Sequence, residues 1–150
     1  MAWNRWDKPR LKTFDVNHFD ISEISSHIVF DIVDGDSYHA FLKKLSLREA
    51  SGLDIKSLSF KAEATKKSVA IDNFSLAMPG TEILIPHAEA NKGSRSFSLT
   101  LATSRVNPHD FRAFVPVLSS INRPVLLKLS ARGKGARIML SQLDVAMPRY

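Results

Sequence analysis

One spacing of apolar residues recurs along this chain: apolar, any, apolar, two polar, apolar, any, apolar. The copies begin at Phe14, Ala40, Leu53, Val69, Ile83 and Ile138. Chance alone gives about two such matches in a chain of this composition, so the repeat is a feature of the sequence. A period of two is typical of β-strands, and an inserted polar residue is typical of a bulge or bend. The pattern therefore predicts similar β-strands, each with one apolar face and one polar face.

The order of strands and turns predicts antiparallel hairpins. Strand-like runs lie at about 14–21, 23–33, 37–49, 53–64, 68–78, 81–90, 95–103, 124–131 and 136–147. Turn signals separate them, for example Asp34-Gly35-Asp36 and Gly133-Lys134-Gly135. Connections this short suit hairpins, because a parallel crossover needs a dozen or more residues. Residues 1–12 are predicted to be an extended arm, and residues 13–150 to be a β-repeat section of a longer groove-forming domain.

One segment near 108–120 predicts a short helix instead of a strand. Asn107 is a good N-cap, Pro108 suits the first helical position, and Asp110 falls in the first turn. An apolar stripe at helical spacing follows, made of Phe111, Phe114, Val115 and Leu118. Pro116 should kink or end this helix early, because it lacks the backbone N–H that a helix interior uses.

The apolar face of these strands must be covered, and two arrangements satisfy this requirement. In a closed β-sandwich, a second sheet covers the face. In a mostly β, curved and elongated antiparallel sheet, the apolar inner face is a groove that lipid chains cover. The repeat offsets predict the lining of that groove: Leu53, Ile55, Leu58, Phe60, Val69, Ile71, Phe74, Leu76, Ile138, Leu140, Leu143 and Val145. Their predicted role is passive, since an apolar surface spares an acyl chain its exposure to water.

Composition narrows the classes of function. The chain has 150 residues, no cysteine and a net charge of +6, so no disulfide framework or thiolate metal site is expected. The charge permits contact with anionic headgroups or nucleic acid, but the basic residues are scattered; the tightest group is Arg132, Lys134 and Arg137 in a hairpin turn. Aromatic residues fall on the apolar face and lysines on the polar face, an arrangement that argues against a nucleic-acid stacking platform.

No motif for chemistry is present. The histidines are dispersed without metal-ligand spacing, and neither a nucleophile elbow nor a phosphate-binding glycine loop occurs. We therefore expect no enzymatic activity, no metal and no cofactor. Since no run of about 18 apolar residues exists, no membrane-spanning helix is predicted.

Two stretches carry a resemblance to a known family. They are Gly52–Phe60 with Val69–Ile83, and Ser104–Leu118 with Asn122–Leu126 and Gly133–Leu143. The pattern covers about residues 14–150 and resembles the repeats of the TamB/AsmA-like translocation and assembly proteins, in their Bacteroidota-type form. The family's N-terminal anchor and its C-terminal domain have no counterpart here, so the resemblance is to an internal section.

That resemblance implies a periplasmic protein anchored in the inner membrane through a segment outside this chain. Its hydrophobic β-groove would carry phospholipid between the inner and outer membranes, support outer-membrane protein assembly and secretion, or do both. The implied partners are phospholipid acyl chains, and an outer-membrane barrel protein that binds through regions outside this chain; nucleic acid is not among them. The alternative is a closed β-sandwich that serves as a binding or adhesion module.

Overall fold

Among the residues that the structure describes, nine β-strands follow one another in a single sheet, and each pairs antiparallel with the next. The structure is a computed structural model that describes residues 2–4, 7, 9, 14, 15, 18–33 and 35–148. The strands are β1 (Ala2–Asn4), β2 (His18–Val33), β3 (Ser37–Glu49), β4 (Asp54–Thr65), β5 (Ser68–Ala77), β6 (Glu82–Asn91), β7 (Ser96–Val106), β8 (Val125–Lys134) and β9 (Arg137–Ala146). The fold is therefore mostly β, as the alternation predicts.

The sheet is open and forms a single layer. In the part of the chain that the structure describes, no second sheet lies over it, and the strand order never closes β9 onto β1. The closed β-sandwich is therefore wrong. The mostly β antiparallel fold class is confirmed.

The largest difference from the predicted strands lies near the N-terminus. The break predicted between the runs at 14–21 and 23–33 is absent, because His18–Val33 is one strand, β2, whose pairing with β3 shifts register between Ile21 and Glu23. Most of the predicted arm, residues 1–12, lies outside the described residues, but Ala2–Asn4 pair with β2 as β1.

The polar pairs of the repeat coincide with irregularities in the ladders. Lys43 and Lys44 lie where the β3–β4 register shifts, between Leu42 and Leu45. In β5, Asn73 has a φ of 52°, a left-handed conformation that asparagine tolerates better than most residues. Irregularities at the polar pairs of β3, β4, β5 and β9 confirm the predicted bulges there, and they keep the apolar residues before and after these pairs on one face.

The segment predicted as one short helix forms two 3-10 helices, Pro108–Phe111 and Pro116–Ser120. The Asn107 side chain caps the first of them by accepting a hydrogen bond from the His109 backbone N–H at 3.2 Å. Val115 is extended and Pro116 begins the second helix, so the helical segment is interrupted just before the proline, in agreement with the expected kink.

This connection supplies the small buried core. Ala113 packs with Leu53 and Met78, and all three are buried. Buried hydrogen bonds fasten the connection to the β5–β6 turn: Gly80 N–H donates to Asp110 Oδ2 at 2.9 Å, and Asn107 N–H donates to Thr81 Oγ1 at 2.9 Å. This buried cluster thus lies at one end of the strands, whereas Leu42 in the middle of β3 is buried apart from it.

Truncation of Leu53 tests this placement of the core. Leu53 is 5% exposed, whereas Leu140 on β9 is 54% exposed. We expect Leu53→Ala to lower the free energy of unfolding by about 2–4 kcal/mol, because it leaves a cavity, and Leu140→Ala to lower it by less than about 1 kcal/mol. Urea denaturation followed by circular dichroism measures both. Equal decreases in the free energy of unfolding for the two variants would show that Leu53 does not belong to the core.

Candidate functional site

Apolar side chains form a continuous face across β2–β9. Residues directly opposite each other in an antiparallel ladder lie on the same face of the sheet. One transverse row is Phe30, Ala40, Ala62, Ile71, Ala88, Leu99, Ala131 and Leu140. The neighbouring row is Ile32, Tyr38, Ala64, Val69, Ala90, Phe97, Gly133 and Ile138. No charged residue interrupts either row, and we call this surface the apolar face.

The structure brings together the predicted lining residues of β4 and β5. Leu58 lies opposite Leu76, and the rings of Phe60 and Phe74 stack with their centroids 6.5 Å apart. Their partners in the adjacent ladders are also apolar: Ile55 lies opposite Leu47, Val69 opposite Ala64, and Ile71 opposite Ala62.

The predicted residues of β9 lie on the same face, at the far side of the sheet. Ile138, Leu140, Leu143 and Val145 lie opposite Gly133, Ala131, Leu129 and Leu127 of β8. The transverse rows above join them to β5 through β6 and β7. The repeat offsets therefore place distant segments of the chain on one surface.

Leu53 is the exception among the predicted lining residues. It precedes β4 and is buried in the core with Met78 and Ala113, where Ile55 and Leu76 pack against it. Leu53 thus lies beneath the connection between β7 and β8, at the end of the apolar face rather than on its open part.

Several residues of the apolar face lie outside the predicted set. In β2 they are Ile24, Ile28, Phe30 and Ile32. Ile28, Phe30 and Ile32 alternate at a spacing of two, and simple alternation was the signal that could have identified them; Ile24 is separated from them by Ser25, Ser26 and His27. β7 and β8 contain no complete copy of the repeat, and their contribution, such as Leu99 and Leu129, follows only from the register.

Most of the apolar face is accessible to solvent. Phe30 on β2 is 60% exposed and Leu140 on β9 is 54% exposed, while the lining residues of β4 and β5 are mostly half-buried by their neighbours in the sheet. Seven inter-strand spacings make the face about 34 Å wide, and ten-residue strands make it about as long, so its area is roughly 1,000 Å². Patches larger than a few hundred Å² mark interaction surfaces on soluble proteins.

The opposite face carries charged pairs. The His87 Nδ1–H donates to Asp72 Oδ1 at 2.6 Å, and Glu89 Oε2 lies 3.6 Å from Nε2. The hydrogen bond to Asp72, with the charges of both carboxylates, raises the pKa of His87 above its ordinary value. Lys61 lies over the Phe41 ring, 5.2 Å from its centroid. This face is suited to contact with water.

The described residues contain no cluster of three or more His, Cys, Asp or Glu side chains that could hold a metal ion. Among them there is also no helix with the length and apolar character that a membrane crossing requires. No protein-family model, curated protein or solved structure matches this chain.

A buried carboxylate fixes the turn between β3 and β4. Glu49 is 4% exposed; it accepts hydrogen bonds from Ser51 N–H at 2.7 Å and from Asp20 N–H at 3.1 Å, and one from the Ser51 hydroxyl. Burial raises the pKa of Glu49, but hydrogen bonds from Ser51, Asp20 and Ala50 outweigh burial and hold the pKa below its ordinary value. The ionised form is therefore the one that stabilises this turn.

Acid titration tests the Glu49 contacts. Because the pKa of Glu49 is lower in the folded chain, its stabilising contribution is present above the ordinary pKa of 4.5 and is lost as the pH falls through the folded value. We expect Glu49→Gln to lower the free energy of unfolding by about 1–3 kcal/mol at pH 7, with a smaller difference at pH 3. Urea denaturation across this pH range measures the difference, and a pH-independent gap would contradict the account.

Proposed function

We propose that this chain is a section of a lipid-conducting groove, in which acyl chains rather than protein cover the apolar face. The observation that carries the proposal is the unbroken, solvent-accessible apolar surface across β2–β9. The resemblance to TamB/AsmA-like proteins supports the same function, namely phospholipid transport across an envelope, with support of outer-membrane protein assembly and secretion as a further role.

The dimensions and energetics suit acyl chains. Half of a bilayer's hydrocarbon core is about 15 Å thick, so an extended chain fits within a face about 34 Å across. Covering only a tenth of a face of roughly 1,000 Å² contributes about 2.5 kcal/mol, at about 25 cal/mol per Å². The face is also chemically uniform, so a chain that slides along a transverse row meets no charged side chain.

The proposal includes no catalytic step, metal or cofactor, because the residues of the apolar face carry no reactive group. It places the chain in the periplasm as part of an inner-membrane-anchored protein, as the resemblance implies. The partner of this section is the phospholipid, and any barrel partner would bind elsewhere in the parent protein.

Photocrosslinking tests the proposal. A photoreactive amino acid at Ile71 or Leu143, in the chain expressed in its parent protein, should capture phospholipid on irradiation. Leu140→Asp should reduce the capture at Leu143 at least tenfold, because a carboxylate on the apolar face repels acyl chains.

Met139→Asp is the matched control. Met139 is the adjacent residue on β9, is 58% exposed, and lies opposite Arg132 on the polar face. This variant should crosslink lipid as the wild type does. The circular dichroism spectra of Leu140→Asp and Met139→Asp should both match that of the wild type. Capture of protein but no lipid at Ile71 and Leu143 would overturn the proposal and indicate a protein cover.

A further inference from the structure

Antiparallel order brings four hairpin turns to the same end of the strands. They join β2 to β3, β4 to β5, β6 to β7, and β8 to β9. Since strands lie about 4.8 Å apart, successive turns are spaced about 10 Å along this edge. We call the border of the sheet formed by these turns, residues 35–36, 66–67, 92–95 and 134–137, the hairpin edge; it runs across the strands and is distinct from the edge strands.

Three of the four turns carry two basic residues each. They are Lys66 and Lys67, Lys92 and Arg95, and Lys134 and Arg137. All six are exposed, and among the described residues Lys66 alone has an ion pair, with Asp36 Oδ1 2.7 Å from its Nζ. The other five form no ion pair with a described residue. Six of the 21 basic residues, which look scattered in the sequence, therefore lie along one edge.

An open depression lies beside the last turn. It has a volume of about 630 Å³ and is lined by the basic residues Arg132, Lys134 and Arg137, by Ser96 and Ser98, and by the apolar residues Phe97 and Met139. Ser98, Arg132 and Met139 lie opposite one another on the polar face, so the depression borders the hairpin edge from that side. Glu89 also lines it, but its carboxylate is directed to His87. Guanidinium, ammonium and hydroxyl donors of this kind suit a phosphate group.

The opposite edge of the apolar face is different. There the 3-10 helices and the turns at 50–53 and 78–81 cover the ends of β3, β4 and β5 around Leu53, Met78 and Ala113. Of the two ends of the strands, one is therefore covered by protein and the hairpin edge is not. An amphiphile aligned with the strands can expose its polar end at the uncovered end.

We propose that the hairpin edge binds the phosphates of anionic phospholipid headgroups while their acyl chains lie on the apolar face. The inference rests on the proposed function and extends it by naming the lipid class and its orientation. The complementary charges favour phosphatidylglycerol-like lipids over zwitterionic ones. Because the cations are exposed, the attraction weakens as salt shortens the screening length.

A charge-matched pair of triple variants tests this orientation. The edge variant is Lys67→Gln/Lys92→Gln/Arg137→Gln, which removes one unpaired cation from each basic turn. The control variant is Lys43→Gln/Lys44→Gln/Lys128→Gln, which removes the same charge from the middle of strands β3 and β8. Sedimentation with vesicles of phosphatidylcholine, with or without 30 mol % phosphatidylglycerol, gives the apparent affinities.

We expect the wild type to prefer the anionic vesicles and the edge variant to lose about a hundredfold in affinity for them, since each basic residue near an anionic surface contributes about fivefold. The control variant should keep its affinity to within about tenfold. Equal losses in the two variants would overturn the inference, because net charge alone would then explain binding. So would equal binding to both kinds of vesicle.

Two further readouts separate the possible failures. Millimolar inorganic phosphate should not displace the anionic vesicles; displacement would show a site for free phosphate and overturn the inference. Crosslinking of phosphatidylcholine at Ile71 reports on the apolar face alone. If lipid is captured at Ile71 while the edge variant binds anionic vesicles as tightly as the wild type does, the headgroup inference fails and the proposed function stands. If no lipid is captured at Ile71, the proposed function itself fails.

Discussion

The structure depends on one geometric constraint: each strand must keep its apolar side chains on one face although polar pairs interrupt the alternation. In a regular strand, a shift of one residue turns every later side chain to the other face. Ladder irregularities at the polar pairs, such as Lys43-Lys44, absorb that shift. The apolar face therefore forms because the bulges occur where the repeat inserts a polar pair.

The consequence of this agreement is a sheet with unequal faces and unequal edges. One face is apolar and largely accessible, whereas the other carries ion pairs such as Asp72–His87. One edge is closed by the connection that includes Asp110, and the other consists of hairpin turns. The proposed function and the proposed orientation of the lipid rest on these differences between the two faces and between the two edges, not on a reactive site.

Much of the fold and of the apolar face could be predicted from the sequence, because alternation and turn residues act locally. The offsets predict Leu58, Leu76 and Leu140 on one surface, and the register places them there. The burial of Leu53 could not be predicted in this way. It depends on Ala113, which is 60 residues away in the sequence and reaches Leu53 only through tertiary packing.

The segment predicted to be helical likewise shows that local sequence signals do not determine tertiary packing. Asn107 and Pro116 carry strong local signals, and both act as those signals indicate. Whether the residues between them form α or 3-10 turns depends on how the connection must bend to reach the β5–β6 turn, where Asp110 binds Gly80. The alignment of the basic turns along the hairpin edge could not be predicted locally either. It follows from the topology, since the turns are about 25–40 residues apart in the chain.

The most direct test of the central claim is the phospholipid content of the protein, purified without detergent and measured by organic extraction and mass spectrometry. If acyl chains cover the apolar face, wild-type protein retains phospholipid in stoichiometric amounts, and Leu140→Asp with Leu143→Asp reduces it while the circular dichroism spectrum is unchanged. Wild-type protein that is folded and free of phospholipid, with this face protected by another polypeptide, would contradict the account.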